Sequence, residues 1–142
     1  MPAGFVTRSL MSALLGWIVL GSAMTASAEE TRLFEMRTYV TNPGKLPELH
    51  KRFREHTNKL FVKHGMELIG YWTLAEGEAE EKDNTLVYIL AYPSREAREK
   101  SWKAFSDDPE WKAAYEASHK DGVLVKKVEV KFLNPTDYSP IK

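Results

Sequence analysis

Three polar side chains that are able to bind a small molecule alternate along one early segment of the chain. The sequence RLFEMRTYV at residues 32–40 places Glu35, Arg37 and Tyr39 two positions apart. In a β-strand this spacing puts all three on one face, about 6.5–7 Å from one to the next. Arg37 then either anchors the anionic group of a ligand that Glu35 orients, or forms a structural ion pair with Glu35.

Aromatic side chains elsewhere in the chain supply walls for such a pocket. Ligand sites typically combine aromatic walls with a few convergent polar groups, although the same residue types also build cores and dimer interfaces. His64 is the candidate proton-transfer group, since it ends a predicted helix beside Gly65, where the dipole favours a cation. The candidate pocket residues are Glu35, Arg37, Tyr39, His64, Trp72, Tyr88, Tyr92 and Trp111.

Several other chemistries find no support in the residues. The four histidines do not show the spacing of a metal site, and His50 and His56 lie on roughly opposite sides of a helix. The chain has no cysteine, which excludes thiol chemistry and disulfides. No phosphate-binding glycine loop or nucleophile elbow is present. We therefore expect neither a metal nor a cofactor, and we assign no catalytic residue.

The charge balance limits the kinds of partner that the protein binds, and the N-terminal segment indicates its location. The 20 basic and 20 acidic residues are interspersed, which gives no support for nucleic-acid binding. Arg8 precedes an uncharged apolar run at 10–24, and Ala26-Ser27-Ala28 has the form of a cleavage site. This run is shorter than the roughly 20 residues of a membrane span. We expect residues 1–28 to be a signal peptide rather than a retained anchor, and the mature protein to be periplasmic or secreted without stable membrane insertion.

The remaining residues, 29–142, form one domain in which strand and helix patterns alternate. Apolar spacing predicts a helix over 45–64, and Ser94 is a predicted helix cap. The next helix begins either with a capping box of Asp107 and Glu110 or with Asp108 as the cap and Pro109 in the first turn. The predicted strands cover 32–40, 66–74, 85–92 and 123–133, and an acidic loop covers 75–84. The order β-α-β-β-α-β predicts an α+β, ferredoxin-like fold with a four-stranded antiparallel sheet and helices on one face.

The aromatic face of this sheet leads to an expectation about assembly. Val87, Ile89 and Ala91 are expected to meet the helices, which leaves Tyr88, Leu90 and Tyr92 on the open face with Leu33, Tyr39 and Trp72. Such a face is a large apolar patch for a monomer. We expect a homodimer in which two sheets face each other around a shared, barrel-like interior.

Four motifs in order resemble the NIPSNAP family over about residues 32–140. They are ExRTY at 35–39 followed by PGK at 43–45, GYW at 70–72, and DPEW at 108–111. The resemblance implies a dimeric α/β-barrel fold, which cofactor-independent monooxygenases share. It brings no common reaction or catalytic residue set. Eukaryotic members are linked to mitochondria and vesicle traffic, and an exported chain departs from that setting.

Three functions remain open on these grounds. The first is an exported homodimer that binds a small, aromatic or acidic molecule inside the barrel. The second is a cofactor-independent enzyme of monooxygenase or isomerase type, in which tyrosine, tryptophan and His64 position an aromatic substrate and move protons. The third is a structural or interaction protein whose barrel is filled by its own side chains.

Overall fold

The computed structural model describes residues 1, 4 and 31–142. Apart from Met1 and Gly4, the expected signal peptide at 1–28 lies outside the described residues, so its cleavage stays a prediction. Within the part of the chain that the structure describes, no helix is both long enough and apolar enough to span a bilayer.

Four strands and several helices alternate in the predicted order. A π-helical segment, Phe53–Thr57, joins the first two helices into one continuous helix. The elements are β1 (Leu33–Thr41), α1 (Leu46–Arg52), α2 (Asn58–Lys63), β2 (Glu67–Thr73), α3 (Ala79–Lys82), β3 (Thr85–Tyr92), α4 (Arg95–Asp107), α5 (Pro109–Ser118) and β4 (Val125–Leu133). The strand predicted at 85–92 coincides with β3, and the predicted acidic loop contains the single turn α3.

The sheet is antiparallel throughout and has the strand order β2-β3-β1-β4. This order and the helices packed against the sheet confirm the α+β, ferredoxin-like fold. The central strands β1 and β3 pair in a register that sets Arg37 opposite Tyr88 and Glu35 opposite Leu90. Because paired residues share a face, the charged residues of β1 lie beside the largest aromatic residues of β3.

Two side-chain caps fix the helices that cover the sheet. The Ser94 hydroxyl accepts the backbone N–H of Ala97 at 3.1 Å and starts α4. The Asp108 carboxylate accepts the backbone N–H of Glu110 at 2.8 Å, and Pro109 occupies the first turn of α5. The Ser94 cap matches the prediction, and of the two alternatives for the next helix the structure has Asp108. Both residues satisfy N–H groups that have no partner within the helix.

The expected orientation of the sheet is wrong, because the aromatic face packs against the protein's own helices. Tyr88 and Leu90 are fully buried, and the Tyr88 ring lies 5.2 Å from Phe53 and 6.1 Å from Phe61, measured between ring centroids. The opposite face, which carries Val87 and Ile89, is partly exposed. Glu35, Arg37 and Tyr39 therefore lie inside one protomer and not on the face expected to meet a second subunit.

Candidate functional site

A cavity of about 200 Å³ lies between the helices and the helix-covered face of the sheet. Strands β1 and β4 supply one wall, and the helices supply the others. Most of its lining is aromatic, and its charged group is a single arginine. The lining residues are Tyr39, Arg52, Phe53, Thr57, Phe61, Trp102, Phe105, Trp111, Tyr115, His119, Val125 and Val128.

The π-helical segment brings two of these residues to the cavity. Phe53 and Thr57 begin and end the segment, and both are buried. The Thr57 hydroxyl donates to the carbonyl of Arg52 at 3.3 Å, and this hydrogen bond links the two ends of the widened turn. Single π-helical turns inside α-helices are frequently found at functional sites. The irregular turn thus shapes the wall that also carries Arg52.

Arg52 is a buried cation in this wall and is only 5% exposed. Its guanidinium packs over the rings of Trp111 and Tyr115, 5.1 Å and 5.5 Å from their centroids. Nη1 donates to the Ser118 hydroxyl at 3.2 Å, whereas Nε is buried with no hydrogen-bond partner. Burial lowers the pKa of Arg52 from its ordinary value, although an arginine remains charged at neutral pH.

His119 contributes an imidazole to the wall of the cavity. Its Nδ1 lies 2.7 Å from the Tyr115 carbonyl, and its ring lies 4.0 Å from the Tyr115 ring. A carbonyl is an acceptor, so Nδ1 carries the proton in this hydrogen bond. In the neutral ring Nε2 is then the acceptor, which leaves it able to take a proton.

A second polar cluster, centred on Glu35, lies directly behind the Trp102 wall. The Glu35 carboxylate is fully buried. It accepts from Arg98 through Nε at 3.0 Å and Nη2 at 2.8 Å, and from Nη1 of Arg37 at 2.7 Å. The Tyr92 hydroxyl at 3.0 Å and the indole Nε1 of Trp102 at 2.9 Å complete the set of donors.

These donors determine the protonation state of the cluster. Burial by itself raises the pKa of Glu35, but the hydrogen bonds from Arg98 and Arg37 outweigh burial and hold that pKa below its ordinary value. Burial raises the pKa of Tyr92, and the negative charge of the neighbouring Glu35 raises it further, so the hydroxyl stays protonated. Glu35 is therefore an ionised carboxylate whose oxygens are already engaged.

The eight predicted site residues lie in several places. Tyr39 and Trp111 line the cavity, and Glu35, Arg37 and Tyr92 form the adjoining cluster, in which Arg37 packs 4.3 Å over the Trp102 ring. Tyr88 belongs to the core between them. The structure does not bring the remaining two to this region.

His64 and Trp72 are those two residues. His64 lies at the end of α2, where its Nε2 is 2.6 Å from Oδ2 of Asp108. Lys63 contacts the same carboxylate oxygen at 2.9 Å, so this group joins α2 to the start of α5. Trp72 pairs with Val87, lies on the edge strand β2 and is half exposed.

Sequence reasoning missed Arg52, His119 and Trp102 as site residues. A signal for Arg52 was present, because it lies between Leu49 and Phe53 on the apolar side of the first helix, where a charge is unusual. Trp102 follows Arg98 by one helical turn, so both reach Glu35 from the same face of α4. His119 follows the last residue of α5, and no local pattern distinguishes it.

The described residues contain no group of three or more histidine, aspartate or glutamate side chains arranged to hold a metal ion. The cavity wall supplies one cation, one imidazole and several rings. This arrangement is suited to enclosing a small, largely apolar molecule and to holding a negative charge at one end.

Comparisons with known proteins agree with this architecture. A NIPSNAP family protein of unknown function from Agrobacterium tumefaciens superposes with a TM-score of 0.69 at 25% sequence identity, covering 80% of this chain and 96% of that one. A NIPSNAP domain protein from Burkholderia xenovorans superposes with a TM-score of 0.64 at 27% identity, covering 76% and 98%.

The fold also extends to more distant proteins. SnoaB, a cofactor-independent oxygenase from Streptomyces nogalater, superposes with a TM-score of 0.51 at 15% identity, covering 77% of this chain and 97% of that one, a likeness of fold alone. A search of curated proteins found no match. The NIPSNAP family profile matches residues 34–140. The chain belongs to the NIPSNAP family.

Proposed function

We propose that this protein binds a small organic molecule in the cavity between its helices and its sheet. The observation that carries the proposal is a space of about 200 Å³ walled by aromatic rings inside one protomer. Drug-sized ligands occupy about 300–1,000 Å³, whereas a cavity of about 150 Å³ holds benzene. The ligand is therefore of single-ring size.

The test compares two valine positions that project from the same face of β4. Val128 lines the cavity and Val130 does not. Titration with phenol and benzoate is followed by NMR at the indole N–H signals of Trp102 and Trp111. We expect both signals to shift in the wild type and in Val130→Phe, and the shifts to be lost in Val128→Phe, whose larger ring fills the space.

Shifts that survive in Val128→Phe contradict binding in this cavity. No shift with any single-ring probe at millimolar concentration contradicts the binding function. That second result favours a structural or interaction protein.

We further propose that a second copy of this chain covers the open face of the sheet. Support comes from the apolar side chains that β1 and β3 present on this partly exposed face and from Trp72, which is 50% exposed on its edge strand. The other edge strand, β4, adds charged residues to the same face, namely Lys127, Glu129 and Lys131. The face carries Met36, Thr38, Val40, Val87 and Ile89. Each protomer then keeps its own cavity, and the two sheets pack between them.

Light scattering tests this assembly. We expect the purified protein to have twice the mass of one chain at micromolar concentration. Ile89→Lys, which places a charge on the open face, should give the monomer mass. Val62→Lys makes the same change at an exposed position on α2 and should leave the dimer intact. A wild-type monomer contradicts the proposal.

Export of the protein is also a proposal. It is supported by the uncharged run at 10–24 and by the small residues that precede Glu29. Mass spectrometry of the protein recovered from its native host should find an N-terminus at Glu29 in the periplasmic or secreted fraction. An intact N-terminus in the membrane fraction indicates an anchor instead.

A cofactor-independent enzyme acting on a small aromatic substrate is the second candidate function. The observation that favours it is His119, whose Nε2 is the proton-accepting nitrogen of the neutral ring, on the wall of the cavity. Incubation with electron-rich phenols in an oxygen electrode should show uptake that His119→Gln abolishes. His56→Gln, an exposed change outside the cavity, should retain it. No uptake, or equal uptake in both variants, contradicts this candidate.

A further inference from the structure

We infer that the ligand of this cavity is a small organic carboxylate with a planar apolar body, and that Arg52 binds its carboxylate group. The inference rests on the proposed binding function and assigns the chemical class of the ligand. It begins from a charge that has no counterion among the described residues.

Arg52 lacks an acidic partner within the described part of the chain. The guanidinium is 5% exposed, yet no described aspartate or glutamate forms an ion pair with it. Its protein hydrogen bond is the one from Nη1 to the Ser118 hydroxyl, and Nε is buried without a partner. Buried charges in proteins are normally paired, and buried polar atoms are normally hydrogen-bonded. A ligand anion in the cavity supplies the missing counterion.

The free donor of the guanidinium determines which group fits. Nη1 donates to Ser118, and Nη2 has no acceptor among the described residues. Nε is too deeply buried for a molecule in the cavity to reach. Nη2 therefore donates a charge-assisted hydrogen bond to one oxygen of a carboxylate, and the guanidinium charge balances the carboxylate charge. Packing against Trp111 and Tyr115 holds the guanidinium plane in place.

The rest of the lining determines the body of the ligand. None of the residues that line the cavity is acidic, and most are aromatic or aliphatic. An inorganic phosphate would exchange a strong hydration shell for rings at this site, at a large desolvation cost. A carboxylate attached to one planar ring places its charge at Arg52 and its apolar surface against Phe53, Phe105 and Trp111. The volume of about 200 Å³ accommodates a molecule of that size.

The test uses benzoate and benzamide, which have nearly the same shape and differ in charge. Both are titrated into the purified protein at pH 7 and followed by NMR at the Trp111 indole signal. We expect benzoate to bind at least tenfold more tightly than benzamide. In Arg52→Met the two should bind with equal affinity, because an unbranched apolar side chain is kept and the charge is removed.

Two further variants separate recognition from folding and from general charge. Arg54→Met removes an equal charge from an exposed position two residues away, and should keep the tenfold preference. Arg52→Lys keeps the charge but lacks the planar guanidinium that packs on Trp111 and Tyr115, and should reduce the preference to about threefold. Circular dichroism confirms that each variant is folded, and if Arg52→Met does not fold, the wild type and Arg52→Lys still decide the question.

Equal affinity of the wild type for benzoate and benzamide overturns the carboxylate assignment and leaves the binding function standing. Binding of neither probe overturns both. Inorganic phosphate that displaces benzoate at similar concentration overturns the apolar part of the assignment. A tenfold preference that Arg52→Met retains overturns the role of Arg52.

Discussion

Two arginine clusters differ in how their charges are balanced, and Trp102 contacts the first and lines the cavity beside the second. Glu35 is surrounded by five donor atoms from four side chains, so its carboxylate is fully engaged. Among the described residues, Arg52 has one hydrogen bond, to a neutral hydroxyl, and no acidic partner. Arg37 and Arg52 each have a buried Nε without a partner among these residues, so the clusters differ in charge balance and not in this atom. In terms of charge, the first cluster is complete without a ligand and the second is not. The difference separates a structural role from a binding role more clearly than residue type does, since both clusters are built on arginine.

The largest effect should come from removing the shared carboxylate of the complete cluster. Glu35→Gln leaves Arg37 without a counterion and Arg98 with only the exposed Glu99, and an amide N–H₂ group then faces the N–H donors of both arginines. We expect a loss of about 3–5 kcal/mol in the free energy of unfolding, measured by urea denaturation.

Glu99→Gln is the matched control for this change. Glu99 contacts Arg98 at 3.3 Å from the protein surface, and exposed ion pairs contribute about 0–1 kcal/mol. A loss below about 1 kcal/mol in Glu35→Gln would show that the cluster is not a structural centre.

The pH dependence of the free energy of unfolding, compared between the wild type and Glu35→Gln, tests the same cluster in a second way. The pKa of Glu35 is lowered in the folded state, because the arginine hydrogen bonds outweigh burial. The folded protein therefore binds the proton more weakly than the unfolded chain does. The stability that ionised Glu35 contributes is fully present above the unfolded pKa and is lost as the pH falls through the folded value.

We expect the difference in unfolding free energy between the wild type and Glu35→Gln to be constant from pH 8 to pH 6, and to shrink below the ordinary carboxyl pKa of 4.5. Urea denaturation at several pH values measures it. The pKa of Asp108 is also lowered, through its hydrogen bonds with Lys63 and His64, but Asp108 is present in both proteins and cancels. A difference that grows toward low pH would contradict the predicted direction of the shift.

Tyr92→Phe should lower the free energy of unfolding by less than Glu35→Gln does. This change removes one donor from Glu35, and four donor atoms from three side chains remain. A hydrogen bond to a charged group contributes about 1.5–3 kcal/mol, and the remaining donors should limit the loss to about 1 kcal/mol in urea denaturation. A loss as large as that of Glu35→Gln would mean that the hydroxyl, and not the arginines, holds the carboxylate.

The fold was largely predictable because its signals are local. Period-two alternation located the strands, and Ser94 and Asp108 marked two helix starts where the structure has them. Which face of the sheet meets the helices was not predictable in this way. Val87, Ile89 and Ala91 are apolar on one face of β3 and Tyr88, Leu90 and Tyr92 are largely apolar on the other, so periodicity alone does not separate them.

The orientation is decided by contacts that are distant in sequence. Arg98 and Trp102 reach Glu35 across 63 and 67 positions, and these bonds place the charged face of β1 under α4. The unpaired state of Arg52 was equally hidden, because the absence of a counterion is visible only after the neighbouring elements are in place. Its position beside Leu49 and Phe53 identified a buried charge but not its missing partner.

The smallest effect on stability should come from the incomplete cluster. Arg52→Met gives up two cation–π contacts, of about 0.5–2 kcal/mol each, but it also removes a buried charge whose desolvation costs several kcal/mol. We expect the free energy of unfolding without ligand to change by less than about 1 kcal/mol, or to rise. Arg37→Met makes the same substitution beside Glu35 and should lose about 1.5–3 kcal/mol, so urea denaturation of the two variants gives a direct contrast. A loss at Arg52 equal to that at Arg37 would mean that the chain already satisfies this guanidinium, and the distinction between a structural and a binding arginine would fail.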